Sequence, residues 1–176
     1  MLMDQGMDTG PILAQRATDI TPADTAGSLS DRLARLGADL LISVLPDYFS
    51  GRVIPQPQDE LLATVTRLLS KADGALDPRE TAVELVRKVR AYHPWPGAFL
   101  TWDARRIGIL QAASVDPKGI AAGQIASTPD GPVLGTSSGG LLLVQVQPAG
   151  ARPMTGKDFL RGHPALAGAR LSSPVD

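Results

Sequence analysis

The spacing of apolar residues changes texture near residue 98. Before it, the first long pattern is Leu29, Leu33, Leu36, Leu40, Val44 and Leu45, recurring at steps of three and four. That spacing lays one apolar stripe along a helix and predicts that this stripe faces a core. Thr25 and Ser28 are suitable caps for its start, and Pro46 and Gly51 bring it to an end. A second helix is predicted from Thr81 to Tyr92, with Ala82, Leu85, Val86 and Val89 turned inward and His93-Pro94-Trp95-Pro96-Gly97 as its stop. Ahead of the first helix, Ile12 to Ala17 reads as a short strand and Asp19 to Ala26 as a polar connection.

Beyond residue 98 the apolar runs become short: Ala98 to Trp102, Ile107 to Ala113, Gly123 to Ser127, Val133 to Thr136 and Leu141 to Val146. Turn formers separate them, among them Asp103-Ala104-Arg105-Arg106, Asp130-Gly131 and Ser138-Gly139-Gly140. Five short strands in succession predict a small closed barrel or a sandwich. A last short helix is expected from Thr155 or Gly156 to Arg161. Val53 to Asp59 carries Pro55 and Pro57, which disfavour helix and give a semi-rigid extended linker. The expected organisation is therefore a first region over 1–55, a linker over 56–79 and a second domain over 80–176.

Composition narrows the chemistry. There is no Cys, so a disulfide scaffold, a Cys-ligated zinc site and a thiol nucleophile are excluded, and with two His, His93 and His163, no metal centre is expected. The 18 Gly follow no fixed period, and 43% hydrophobic with 20% charged residues is a globular balance. The net charge of −1 hides a split: residues 1–60 hold four basic and nine acidic residues, residues 61–176 hold 13 and nine. No run approaches the roughly 20 apolar residues of a membrane span, and the start lacks the basic and apolar stretches of a signal peptide. The cytoplasm is the expected compartment.

Asp8-Thr9-Gly10 is the sharpest local string. Read as an aspartic-protease signature it would need a second such Asp to share a proton, and the chain contains no second Asp-Thr-Gly. Read alone it is an Asx-type turn. Trp95, between two prolines, and Trp102, on a strand, are expected to pack inward, and His163 is expected in a surface tail. Ser138-Gly139-Gly140 lacks the ending of a phosphate loop.

In company, the same string means more. Met3-Asp4-x-Gly6-Met7-Asp8-Thr9-Gly10-Pro11 is followed by Asp24-Thr25-Ala26-Gly27-Ser28-Leu29-x-Asp31-x-Leu33 and Leu36-Gly37-Ala38. Then come Leu69-Ser70-Lys71-x-Asp73-Gly74-x-Leu76-Asp77, Val89-Arg90-Ala91-Tyr92-His93-Pro94-Trp95-Pro96-Gly97-Ala98-Phe99, and Leu143 to Gly150 with Met154 and Lys157-Asp158-x-Leu160-Arg161-Gly162. In this order the six strings resemble the methionyl-tRNA formyltransferase family. The resemblance runs from Met3 to about Gly162. Pro78 stands where many relatives have Trp, and Leu68 where the position is often basic.

The resemblance implies an α/β remnant of a nucleotide-fold formyltransferase domain, followed by a small β-barrel, OB-like, at the C-terminal side. It implies formyl transfer from 10-formyltetrahydrofolate to the amino group of methionine on initiator tRNA, with no metal, no membrane and no DNA partner. Family members use an Asn, a His and an Asp, and the Asp falls on Asp8. Their Asn-x-His and Leu-Leu-Pro segments lie upstream of that Asp and are not found here, so the chain is expected to match the last half of a full-length member and to show little activity alone. Arg87, Lys88, Arg90, Arg105, Arg106, Arg152, Lys157 and Arg161 are the implied tRNA-backbone contacts, against the plain reading of solvated surface charge. A sugar-nucleotide formyltransferase, a non-catalytic tRNA-binding module and a non-functional remnant are the alternatives.

Overall fold

The computed structural model describes residues 1–117 and 119–171, and these divide into two compact units, Met1–Leu68 and Leu69–Asp176.

In the first unit, one long helix, α1, runs over Ala26–Phe49. Thr25 caps it through a reciprocal box in which the Thr25 hydroxyl accepts from the Ser28 amide at 3.2 Å and the Ser28 hydroxyl accepts from the Thr25 amide at 3.0 Å. The predicted stripe forms but does not face a core. Leu29, Leu36, Leu40, Val44 and Leu45 are half-buried, Leu33 is exposed, and no α1 residue is fully buried. The predicted strand over Ile12–Ala17 reduces to one antiparallel bridge, Ile12 opposite Gln56. A nucleotide fold alternates strands with helices, and the described residues of this unit hold no sheet. The stripe is therefore only partly covered within residues 1–68, where Leu13 and Ala14 share a small cavity with Leu40 and Val44.

The second unit carries the hydrophobic core. Helix α2, Ala82–Ala91, starts at a Thr81–Glu84 capping box, buries Ala82, Leu85 and Val89, and leaves Val86 half-buried, as its periodicity predicts. Six strands follow: β1 (Ala98–Trp102), β2 (Arg105–Val115), β3 (Ile125–Thr128), β4 (Gly131–Gly135), β5 (Gly140–Pro148) and β6 (Met154–Thr155). All pair antiparallel in the order β1-β2-β5-β4-β3. Along one side of β5, β4 lies against its first residues and β6 against Gln145 and Val146. Strand β2 extends past its apolar run at both ends, pairing with β1 from Arg105 and with β5 as far as Val115, with a bulge at Gln111.

Leu85, Leu100, Ile109, Leu134, Leu141, Leu143 and Val146 meet Phe159, Leu166 and Leu171 in one buried cluster. At about 1.5–3 kcal/mol for each large side chain buried, this cluster is the main stabilising term of the unit. A short helix α3, Gly156–Gly162, closes over the sheet so tightly that a Cβ on Gly156 would meet the Leu143 carbonyl oxygen at 1.9 Å.

The expected closed barrel is not observed: the paired strands form an open sheet with β1 and β3 at its ends. Other segments occupy those edges. The Leu76 amide donates to the Phe99 carbonyl at 2.9 Å beside β1, and the Ile125 amide donates to the Ala169 carbonyl at 2.9 Å beside β3. An edge covered in this way has fewer unpaired donors left to draw the opposite edge across.

Candidate functional site

The loop that carries Asp8 is built by short-range polar contacts and one distant clamp. The Asp4 carboxylate accepts from the Gly6 amide at 3.0 Å and the Thr9 hydroxyl at 2.7 Å, which commits Asp4 to holding the turn. The Leu2 amide donates to the Pro11 carbonyl at 2.9 Å. Gly10 sits inside this closure, where a Cβ would meet the Leu2 carbonyl oxygen at 1.8 Å. Asp8 has φ of 58°, in the left-handed region that Asp tolerates better than most residues. Its side chain is exposed.

The clamp comes from Gln58. Its side-chain Nε2 donates to the Asp8 carbonyl at 2.8 Å and to the Gly10 carbonyl at 2.8 Å. Two residues earlier, Gln56 and Ile12 exchange backbone hydrogen bonds of 2.8 and 2.9 Å. The proline-bearing segment, expected as a semi-rigid extended linker, is tied to the Asp8 loop from Gln56 to Gln58. Local residue types gave no pointer to Gln58. Alternating prolines and glutamines signal an extended stretch with side chains able to hydrogen-bond, and nothing more.

Beside this loop lies a groove of about 480 Å³, lined among others by Asp8, Thr9, Ile12, Gln58, Asp59 and Glu60. Its described lining holds three carboxylates and no Lys, Arg, His or Asn. Such a surface can accept protons or orient a cationic or N–H donor, but supplies no strong donor to a developing oxyanion.

The eight basic residues singled out from sequence lie in the second unit, and the structure sorts them. On α2, Arg87 is exposed and Arg90 half-buried, while the Lys88 ammonium pairs with Glu80 at 2.6 Å. Arg105 and Arg106 are exposed opposite Trp102 and Thr101 at the β1–β2 turn, and the Arg106 guanidinium stacks 4.3 Å from the centroid of Phe99. Lys88 and Arg106 share a groove of about 530 Å³ with Asp73, Asp77 and Glu80. Arg152 is exposed between β5 and β6. Lys157 and Arg161 lie on α3 and line a separate groove of about 380 Å³, where Arg161 pairs with Asp158 at 2.7 Å.

Two aromatic residues depart from each other in outcome. Trp95, expected to pack, is instead 55% exposed in the turn between α2 and β1. Trp102 is half-buried against the core as expected, with its ring 5.9 Å from His163. His163 is exposed yet anchored, its Nδ1 lying 3.0 Å from the Phe159 carbonyl oxygen. Among the described residues no three His, Asp or Glu side chains gather as a metal site, and no described helix is long and apolar enough to cross a membrane.

Residues 68–164 match the family described as formyl transferase, C-terminal domain, and residues 1–45 match the one described as formyl transferase. The chain is 46% identical over 165 residues to a methionyl-tRNA formyltransferase of Chloroflexus aurantiacus, covering 92% of this chain and 53% of that protein. It is 42% identical over 173 residues to a methionyl-tRNA formyltransferase of Roseiflexus sp., covering 97% of this chain and 53% of that protein. It therefore spans about half the length of the curated relatives it matches. Among solved structures, HypX from Aquifex aeolicus in complex with tetrahydrofolic acid aligns with a TM-score of 0.63 at 18% identity, over 89% of this chain and 28% of that one. That likeness speaks to the fold alone, whereas the family match spans more than half of the sequence. The chain belongs to the formyltransferase family.

Proposed function

We propose that this chain serves formyl transfer from 10-formyltetrahydrofolate to the amino group of methionine esterified to initiator tRNA, in the cytoplasm. In this reading the first unit is the trailing part of a catalytic domain, and the second unit is the RNA-engaging domain. The observation that carries the reading is the identity of 42–46%, along nearly the whole chain, to proteins named methionyl-tRNA formyltransferase. The open sheet stands where an OB-like barrel was expected, and the reading requires only that cations on its surroundings meet an RNA backbone.

The reaction joins the amine nitrogen to the formyl carbon and breaks the bond from that carbon to the donor nitrogen. A tetrahedral oxyanion forms on the way, and the amine loses a proton that the leaving nitrogen regains. Asp8 fits the proton side of this chemistry: its loop is pinned by Asp4 and Gln58, and its carboxylate is exposed to the groove. The carboxylate would accept a proton through water or hold a base in one tautomer. The groove does not fit the donor, because three carboxylates with no cation would repel the carboxylates of the folate tail.

A formyl-transfer assay with this chain as the sole protein tests the reading, using charged initiator tRNA and, separately, a nucleotide-linked amino sugar as acceptors. No robust transfer to either acceptor is expected, since the groove holds a carboxylate but no oxyanion donor. Robust formylation of the tRNA would show that Asp8 and its surroundings suffice. Transfer to the amino sugar would overturn the tRNA reading in favour of a sugar-nucleotide enzyme.

A further inference from the structure

Beside the Asp8 loop an antiparallel ladder stops one step short, and a side chain continues it. Ile12 and Gln56 exchange two backbone hydrogen bonds, at 2.8 and 2.9 Å, as a hydrogen-bonded pair. In that register Pro11 would stand opposite Pro57, at a position where neither residue needs an amide proton to reach across. The next pair, Gly10 and Gln58, would exchange backbone bonds again, yet none joins them among the described residues. At Asp8 the backbone takes φ of 58° and leaves the extended path. The Gln58 side chain bridges the break, its Nε2 donating at 2.8 Å to the Asp8 carbonyl and at 2.8 Å to the Gly10 carbonyl. A primary amide has two N–H donors, so these two bonds use its whole donor capacity.

Resting on the formyl-transfer reading above, we infer that Gln58 is the positioning residue of Asp8: its amide holds the carbonyls on both sides of Thr9 and so keeps Asp8 in the left-handed conformation that sets the direction of its carboxylate. That conformation is unfavourable for a residue with a Cβ, and Asp tolerates it without preferring it, so it needs a restraint from outside the loop. Asp4 ties the Gly6 amide and the Thr9 hydroxyl, and leaves the Asp8 and Gly10 carbonyls to Gln58. The residue type follows from the partners. Two carbonyl oxygens facing one side chain call for two donors, and an ionised carboxylate of the same length would bring only acceptors. Gln58 touches no reacting atom and acts through Asp8. Because it lies on the proline-bearing segment, opening of the Ile12–Gln56 bridge would carry the amide away and release Asp8. The segment is therefore part of the site and not a passive connection.

Nuclear magnetic resonance on the full, isotopically labelled chain tests the assignment without requiring turnover. The NOE between the Asp8 amide proton and its own Hα is strong at positive φ and weak at negative φ. In the unaltered chain it should be strong, with scalar couplings across the hydrogen bonds from Gln58 Nε2 to the Asp8 and Gly10 carbonyl carbons. Gln58→Glu should lose the strong NOE at neutral pH and regain part of it as pH falls through about 4.3, where the acid recovers one O–H donor. The neighbouring carboxyl groups, Asp4, Asp8, Asp59 and Glu60, are common to both chains, so the unaltered chain over the same pH range is the control and should show no such gain. Gln58→Lys keeps its donors and should keep the NOE. A side chain that merely filled space would give neither rescue. The assignment is overturned if Gln58→Glu keeps the strong NOE at neutral pH, if neither acid nor lysine restores it, or if the unaltered chain lacks the couplings. Should Gln58→Glu fail to fold, the couplings in the unaltered chain and the NOE in Gln58→Lys decide. An absent clamp leaves the formyl-transfer reading standing, whereas transfer to an amino sugar in the assay above overturns that reading and leaves the clamp in place.

Discussion

Asp24 shows how one side chain organises the approach to α1. It is 7% exposed, takes both terminal nitrogens of Arg32 at 2.8 Å, and accepts the Thr21 amide at 2.7 Å. The Arg32 guanidinium, then the Thr21 amide, hold its carboxyl well below the usual carboxylate range. A carboxyl depressed in the folded state stabilises above the unfolded value of about 3.9 and loses that contribution as pH falls below it. The Thr21 amide resonance should therefore stay flat through the usual carboxylate range and shift only well below about pH 3.9, and should show no such low-pH shift in Asp24→Asn. Equal titration curves would remove Asp24 as the cause. At the same scale, the sequence reads an Asx-type turn at Asp8-Thr9-Gly10, whereas the carboxylate that holds the loop is that of Asp4, four residues earlier. Gln58 was not legible, because its partners Asp8 and Gly10 lie about fifty residues away and any buried or bridging amide would have looked the same.

Among the elements, those set by local periodicity were readable and those set by long-range meeting were not. The stripe of α2 and the runs of β1, β2 and β5 appear where the spacing predicts them. Closure of the sheet depends on which edges find each other, and residues 76 and 169 hydrogen-bond at those edges instead. The stripe of α1 is present, but periodicity reports amphipathicity and not what covers it. Its exposed side includes Leu41, Ile42 and Phe49 at 55%, 70% and 78%. This contrast has a measurable consequence. Leu134, fully buried in the sheet, should cost about 2–5 kcal/mol when cut to Ala, seen as a lower melting temperature of the second unit. Ile42→Ala on α1 should stay within about 0.5 kcal/mol of the unaltered chain. Similar losses from the two substitutions would contradict the burial described for α1.

Across the whole molecule, the two units differ in what holds them. Every residue of the buried apolar cluster lies in the second unit, whereas the buried positions of the first are Gly10 and Asp24. Local opening is easiest where few apolar contacts must be broken. Amide exchange should accordingly be fast through residues 1–50 and slow through Ala98 to Val146; comparable protection in the two would show that the first unit is held by more than its two buried positions. Charge divides the same way, with five basic and nine acidic residues over 1–68 and 12 basic and nine acidic over 69–176. Under the proposed function, an RNA partner therefore engages the second unit, and does so through phosphates. The most direct measurement is the affinity of this chain for methionyl-charged initiator tRNA as salt is raised. Binding whose logarithm falls linearly with the logarithm of salt is the expected result. No binding at low salt, or binding indifferent to salt, would contradict the account.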